Sequence, residues 1–247
     1  MYRIRERRSD DPKRRPTRSE SGHERQGRRW RLLRVGLLAV AVVVAGWGCA
    51  NASDPRPDAK RKFVPAGWTV EEDLQGDLNG DGVSDSVLML VEVGHAGPTD
   101  EAGRSLVVLA GQRDGSFVEM GTNRKLLLCV QCFGAVGGGP RLSIQRNVLI
   151  VEQETGSRET TSGLWRLRFD PASRRIRLIG LDVRKADRAT GLSTTESTNY
   201  LNGRRITESR RYDEAKKADV VVGKKASPVA TTPIFLEDVD AGPLSVD

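Results

Sequence analysis

The chain has 247 residues, enough for one sizeable domain with appendages, and a formal charge of +7. That charge is concentrated: residues 1–34 hold 13 Lys and Arg against 5 Asp and Glu, whereas the remainder holds 27 against 28. A nearly neutral body offers no electrostatic footprint for a polyanion, so the charge balance speaks against nucleic acid as a partner.

In chain order, residues 1–34 form a basic leader whose first 27 residues, rich in Arg and Ser without an apolar period, read as disordered. An uncharged, mostly apolar run of about 14 residues follows from Val35 to Gly48, and small residues gather at Gly48-Cys49-Ala50-Asn51-Ala52. The run falls short of the roughly 20 residues that span a bilayer as a helix. Basic, then apolar, then small is the layout of an export signal, placed here at residues 35–52. The approach to Cys49 resembles a bacterial lipoprotein signal. That resemblance implies lipidation at Cys49, attachment to a membrane through the lipid, and a periplasm-facing site in the cell envelope, at the outer membrane. Ala50-Asn51-Ala52 also fits ordinary cleavage and secretion, and an uncleaved run gives an inner-membrane anchor. All three fates stay open.

Residues 53–62 are polar with two prolines and read as a linker. The domain proper is placed at residues 63–240 and is expected to be mostly β. Strands are predicted at residues 68–74, 86–93, 104–110 and 117–120. The second is apolar at nearly every position at first, the pattern of a strand buried on both faces. Further strands are predicted at 142–144 and 148–152. In the clearest alternation of the chain, Trp165, Leu167 and Phe169 oppose Arg166 and Arg168. After a turn at residues 170–173, Ile176, Leu178 and Gly180 oppose Arg175, Arg177 and Ile179, which makes a hairpin with one wet face. Asn202-Gly203 predicts a two-residue type I′ turn between strands at 194–201 and 204–210. Residues 216–225 read as a short helix or loop, 234–236 as a last strand, and 241–247 as a disordered tail. The fold class is therefore an antiparallel meander of hairpins in one domain, sandwich-like or propeller-like.

The chemistry lies at Gly76-Asp77-Leu78-Asn79-Gly80-Asp81-Gly82-Val83-Ser84-Asp85. Asp77, Asn79, Asp81 and Asp85 occupy positions 1, 3, 5 and 9 of a loop, Gly82 occupies position 6, and the carbonyl of Val83 at position 7 adds an oxygen. Alternate side chains point inward and the glycine permits the sharp turn, so this spacing wraps a hard cation. Calcium suits it, accepting six to eight oxygens in loose geometry. An EF-hand needs a bidentate Glu at position 12, and Leu88 stands there. The loop instead resembles the FG-GAP or VCBS class, in which Asp-x-Asn-x-Asp-Gly-x-x-Asp joins two strands of a sheet. The resemblance implies calcium and a β context. No second copy of the loop exists in the sequence, which argues against a full propeller of such repeats. Together with Val64-Pro65-Ala66-Gly67-Trp68 and Asn199-Tyr200-Leu201-Asn202-Gly203, the chain is similar to small bacterial envelope lipoproteins. That likeness implies a compartment and a metal, and no activity.

Cys129-Val130-Gln131-Cys132 has C-x-x-C spacing, but the glycine-rich stretch that follows cannot form the helix a thioredoxin-like site requires. In an oxidising envelope a structural disulfide is expected, with a reduced or redox-active pair as alternatives. Outside the leader the one histidine is His95, in a loop. Gly137-Gly138-Gly139 lacks the Lys-Ser/Thr of a phosphate loop. The arginine face of Arg166, Arg168, Arg175 and Arg177 reads as solvated, with an anionic lipid or glycan as the alternative ligand. A calcium-braced binding or structural module is the expected function. A thiol–disulfide enzyme and an adhesin or assembly factor are the alternatives.

Overall fold

The structure, a computed structural model, describes residues 57–94 and 101–244. The leader, the apolar run, Cys49 and His95 lie outside the described residues, and the fold is that of the unit Ala50–Asp247. No helix among the described residues is long and apolar enough to cross a membrane.

The fold is mostly β and consists of two antiparallel meanders. Strands β1 (Trp68–Gly76), β2 (Asp85–Glu92), β3 (Arg104–Gly111) and β4 (Phe117–Asn123) form a four-stranded sheet in sequence order. A seven-stranded sheet comes next, also in sequence order: β5 (Arg141–Gln145), β6 (Val148–Gly156), β7 (Glu159–Asp170), β8 (Arg175–Asp187), β9 (Leu192–Asn199), β10 (Arg204–Asp213) and β11 (Ala218–Pro228). Every pairing is between chain neighbours, so within each sheet each strand is a hairpin partner of the next.

The main core lies between the sheets. Val87, Met89, Leu106 and Val108 of the first sheet meet Leu149, Val151, Trp165, Leu167, Ile176 and Leu178 of the second. Each fully buried side chain of this size contributes about 2 kcal/mol. The alternation read at β7 and β8 thus aims its apolar members inward, while Arg168 is exposed. Gly163 precedes Trp165 by two residues on the same face. A Cβ there would stand 2.4 Å from the indole, so the absent side chain makes room for the ring.

Strands β2 and β3 are buried on both faces. Their outward residues Leu88, Leu90, Val107 and Leu109, with Phe117, pack under Ala59, Phe63, Val64 and Trp68. The cover begins with α1 (Pro57–Arg61), which corrects the reading of 53–62 as linker from residue 57 onward. Lys60 is buried, donates to the Asp73 carboxylate at 2.6 Å and stands over the Phe117 ring. A doubly apolar strand pair needs a layer on each side, and this short segment supplies the second one.

At the other end, residues 234–236 make only an isolated bridge, Arg177 to Phe235, before a 3-10 turn at Leu236–Asp238. A second such turn, Gly242–Leu244, occupies part of the expected tail. Leu236, Val239, Ala241 and Leu244 are all buried and belong to the main core. Asn123 fixes them, donating from Nδ2 to the carbonyls of Leu236 and Val239 while its Oδ1 accepts the N–H groups of Lys125 and Leu126.

One turn and one segment differ from their expected form. Asn199 pairs with Arg204, so the Asn202-Gly203 connection has four residues, and of these only Gly203 has positive φ, at 68°. The Asn199 side chain instead accepts the N–H groups of Leu201 and Asn202. The two-residue turn with both φ positive occurs at Arg146-Asn147, with φ of 51° and 62°. Residues 218–228 form β11 rather than a helix or loop, and the strand is exposed along most of its length.

Candidate functional site

The loop at Asp77–Asp85 connects β1 directly to β2, and each of its polar side chains is spent on holding its shape. Asp77 accepts the N–H groups of Gly80 at 2.6 Å and Gly82 at 3.1 Å. Asn79 Oδ1 accepts from Asp81 N–H at 2.9 Å, and Asp81 Oδ1 accepts from Val83 N–H at 2.8 Å. Asn79 Nδ2 donates to the other Asp81 oxygen at 3.0 Å. Gly80 and Gly82 have φ of 82° and 80°, a region where a side chain is strained, which is why glycine stands at both positions.

Asp85 differs from the others. It is 1% exposed, and Leu78, buried beside it, anchors the loop in the main core. Its Oδ2 accepts the N–H groups of Leu78 at 2.8 Å and Asn79 at 3.2 Å, and its Oδ1 accepts that of Gly111 at 2.9 Å. Burial pushes its carboxyl above the ordinary range, against the lowering effect of these three donors, and the Asp81 charge adds to the rise.

Two partners outside the loop complete the arrangement, and neither has a sequence signature. Gly111 at the end of β3 meets Asp85, and Asn147 in the β5–β6 turn donates to the Asp77 carbonyl at 2.7 Å. The loop is therefore tied both to its own sheet and to the opposite one. Asn147 is legible only as a residue that tolerates positive φ in a turn.

The loop's donors fit a hard cation in kind. Hydrogen bonds engage two lone-pair sites each on Asp77 and Asp81, out of about four on a carboxylate. Asp77, Asp81 and Asp85 do not bring three carboxylate oxygens within 4.8 Å of one another. Asp85 stands as a buried anchor, with Asp77, Asn79 and Asp81 toward the surface.

Cys129 and Cys132 are joined in a disulfide with a Cα–Cα distance of 5.1 Å. Glu101 places a carboxylate oxygen within 4.8 Å of both sulfurs, a neighbour that the sequence spacing does not announce. The chain beyond Cys132 forms a turn and the isolated bridge Gly134 to Gly156, not a helix. Upstream, Arg104 is buried, pairs with Glu71 through Nε and Nη2, and donates to the Leu128 carbonyl.

The four arginines of the β7–β8 face divide into two pairs. Arg166 pairs with Asp182 at 2.8 Å, and Arg175 pairs with Glu237 at 2.9 Å while stacking on Phe235. Arg168 and Arg177, directly opposite each other across the strands, have no carboxylate within ion-pair distance among the described residues. No protein-family model, curated protein or solved structure matches the chain.

Proposed function

We propose that the protein is an exported, lipid-anchored bacterial envelope protein whose β domain, stabilised by calcium, acts as a binding or structural module. The observation that carries this reading is the loop's position. It closes β1 onto β2, reaches β3 through Asp85 and Gly111, and reaches the second sheet through Asp77 and Asn147. An ion held by Asp77, Asn79, Asp81, the Val83 carbonyl and Asp85 would draw these oxygens together and neutralise the carboxylate charge of the loop. When bound, it supplies charge neutralisation and rigidity. A structural role for the disulfide supports the module reading, because the pair closes a tight turn beside buried Leu126, Leu127 and Leu128. The lipid anchor rests on the apolar run ending at Gly48-Cys49.

Metabolic labelling with a radiolabelled fatty acid tests the anchor. The protein incorporates label, and the Cys49→Ser variant does not. Equal labelling of the two, or none in either, removes the anchor from the account. Calorimetric titration with calcium, on the parent protein and on Asp81→Ala, tests the loop.

A further inference from the structure

We propose that the cleft between the Asp77–Asp85 loop and the β7–β8 turn is a binding site for a small oxyanion, a carboxylate or a phosphate, gripped by Arg168 and Arg177. The cleft has a volume of about 420 Å³ and is walled by Asn79 and Asn147 on one side and by Arg168, Phe169 and Arg177 on the other.

Three observations converge on an anion. First, Arg168 and Arg177 are register partners in an antiparallel pair. Directly opposed residues hold their Cβ atoms roughly 5 Å apart, and like charges so placed repel. Second, the neighbouring arginines of this face are neutralised by Asp182 and Glu237, whereas these two are not. Arg168 has no hydrogen bond or ion pair among the described residues. Third, the Nε of Arg177 is buried without a hydrogen-bond partner, and its Nη2 reaches only the Thr231 carbonyl, at 3.2 Å. A buried, unpaired guanidinium donor beside a second unpaired guanidinium is what a bidentate oxyanion satisfies.

The nearest acid on this wall, Asp170, feels the Arg177 charge without bonding to it, and its Oδ2 accepts the hydroxyl and the N–H of Ser173. Asn79 and Asn147 line the cleft with amides held by Asp81 and by the Asp77 carbonyl, and Phe169 and Ile179 offer apolar surface for the body of an organic acid. The ligand class is therefore a small carboxylate or phosphate monoester.

The test is calorimetric titration of the intact protein at low ionic strength with inorganic phosphate and with glucuronate, with EDTA present, and thermal melts against chloride at matched ionic strength. Phosphate or glucuronate is expected to bind and to raise the melting temperature beyond the effect of chloride. Tighter binding of glucuronate assigns a role to the apolar wall, and equal binding assigns recognition to the oxyanion alone. Arg168→Gln and Arg177→Gln should each weaken binding by about tenfold or more, the worth of one charge-assisted contact. Arg175→Gln should leave affinity unchanged. Arg168→Gln should also raise the ligand-free melting temperature at low salt, because it relieves the like-charge pair. A chloride-like response to both anions overturns the proposal. So does an Arg168→Gln variant that binds as tightly as the parent protein, and that variant tests it even if Arg177→Gln fails to fold.

Discussion

The Asp85 carboxylate accepts the backbone N–H of Gly111 at 2.9 Å, joining the end of the β1–β2 loop to the end of β3. The approach is so close that a Cβ on Gly111 would lie 2.1 Å from the Ser84 carbonyl oxygen. Neither backbone can retreat without breaking the bond. Gly111→Ala is therefore expected to destabilise the protein by about 1–3 kcal/mol, the cost of overpacking a fixed site. Asp85→Ala strands three N–H groups and should cost about 3 kcal/mol or more. Denaturant midpoints check both, and variants within error of the parent would contradict this account of the junction.

Lys60 and Asp73 make a second prediction. The ammonium is buried, its partner is also held by Ser86, and together they seat α1 on the outer face of the first sheet. Because Asp73 is partly exposed, Lys60→Met should cost only about 1–2 kcal/mol, between the values for exposed and buried pairs. Deleting residues 57–64 should do far more, uncovering Leu88, Leu90, Val107 and Leu109. Binding of a hydrophobic dye to the deletion variant, absent in the parent, is the readout.

Gly163 and Trp165 make a third. A methyl group at residue 163 meets the indole at 2.4 Å, and the ring, 1% exposed, has no vacant core to enter. Gly163→Ala should shift tryptophan emission to the red and lower stability by about 1–3 kcal/mol. An unchanged emission maximum would show that the ring is not seated as described.

How much of the fold is legible in the sequence differs from element to element. The doubly buried strand at 86–91 and the alternation from Trp165 to Leu178 follow from side-chain period alone and stand in the structure, but a bulge at Ile179 pairs Gly180 with Arg166 and so moves it to the arginine face. The ten-residue loop is legible as a unit because its spacing and glycines are local. Its ties to Gly111 and Asn147 are not, since they join residues 26 and 70 positions apart. The segment at 57–64 lacks any period that would mark it as core, and its apolar residues gain meaning only once a sheet face needs covering. The same holds for Leu236, Val239 and Leu244, which enter the core from irregular chain. Asn202-Gly203 misleads because Asn199 supplies an alternative cap that lengthens the loop.

A fourth prediction concerns acid. The Ser173 hydroxyl, with the Ser173 N–H and the Arg177 charge, holds the Asp170 carboxyl below its ordinary range. A depressed carboxyl contributes stability above its unfolded-state pKa and loses it as pH falls through the folded value. Ser173→Ala should thus be less stable than the parent at neutral pH, and the difference should shrink and vanish on acidification below the folded value. Paired denaturation curves over that pH range decide it. A difference independent of pH would assign the effect of Ser173 to something other than Asp170.

The central claim, that a calcium ion seated at Asp77, Asn79, Asp81, Val83 and Asp85 braces the two sheets, is tested most directly by calorimetric calcium titration of the intact protein and of Asp81→Ala, with melts in parallel. The account predicts saturable binding by the parent, with stabilisation of about 2.7 kcal/mol at a hundredfold excess over the dissociation constant. Asp81→Ala should lose the binding while keeping its fold in EDTA. A titration without saturable heat together with a melting temperature indifferent to calcium, or equal binding by Asp81→Ala, would contradict it.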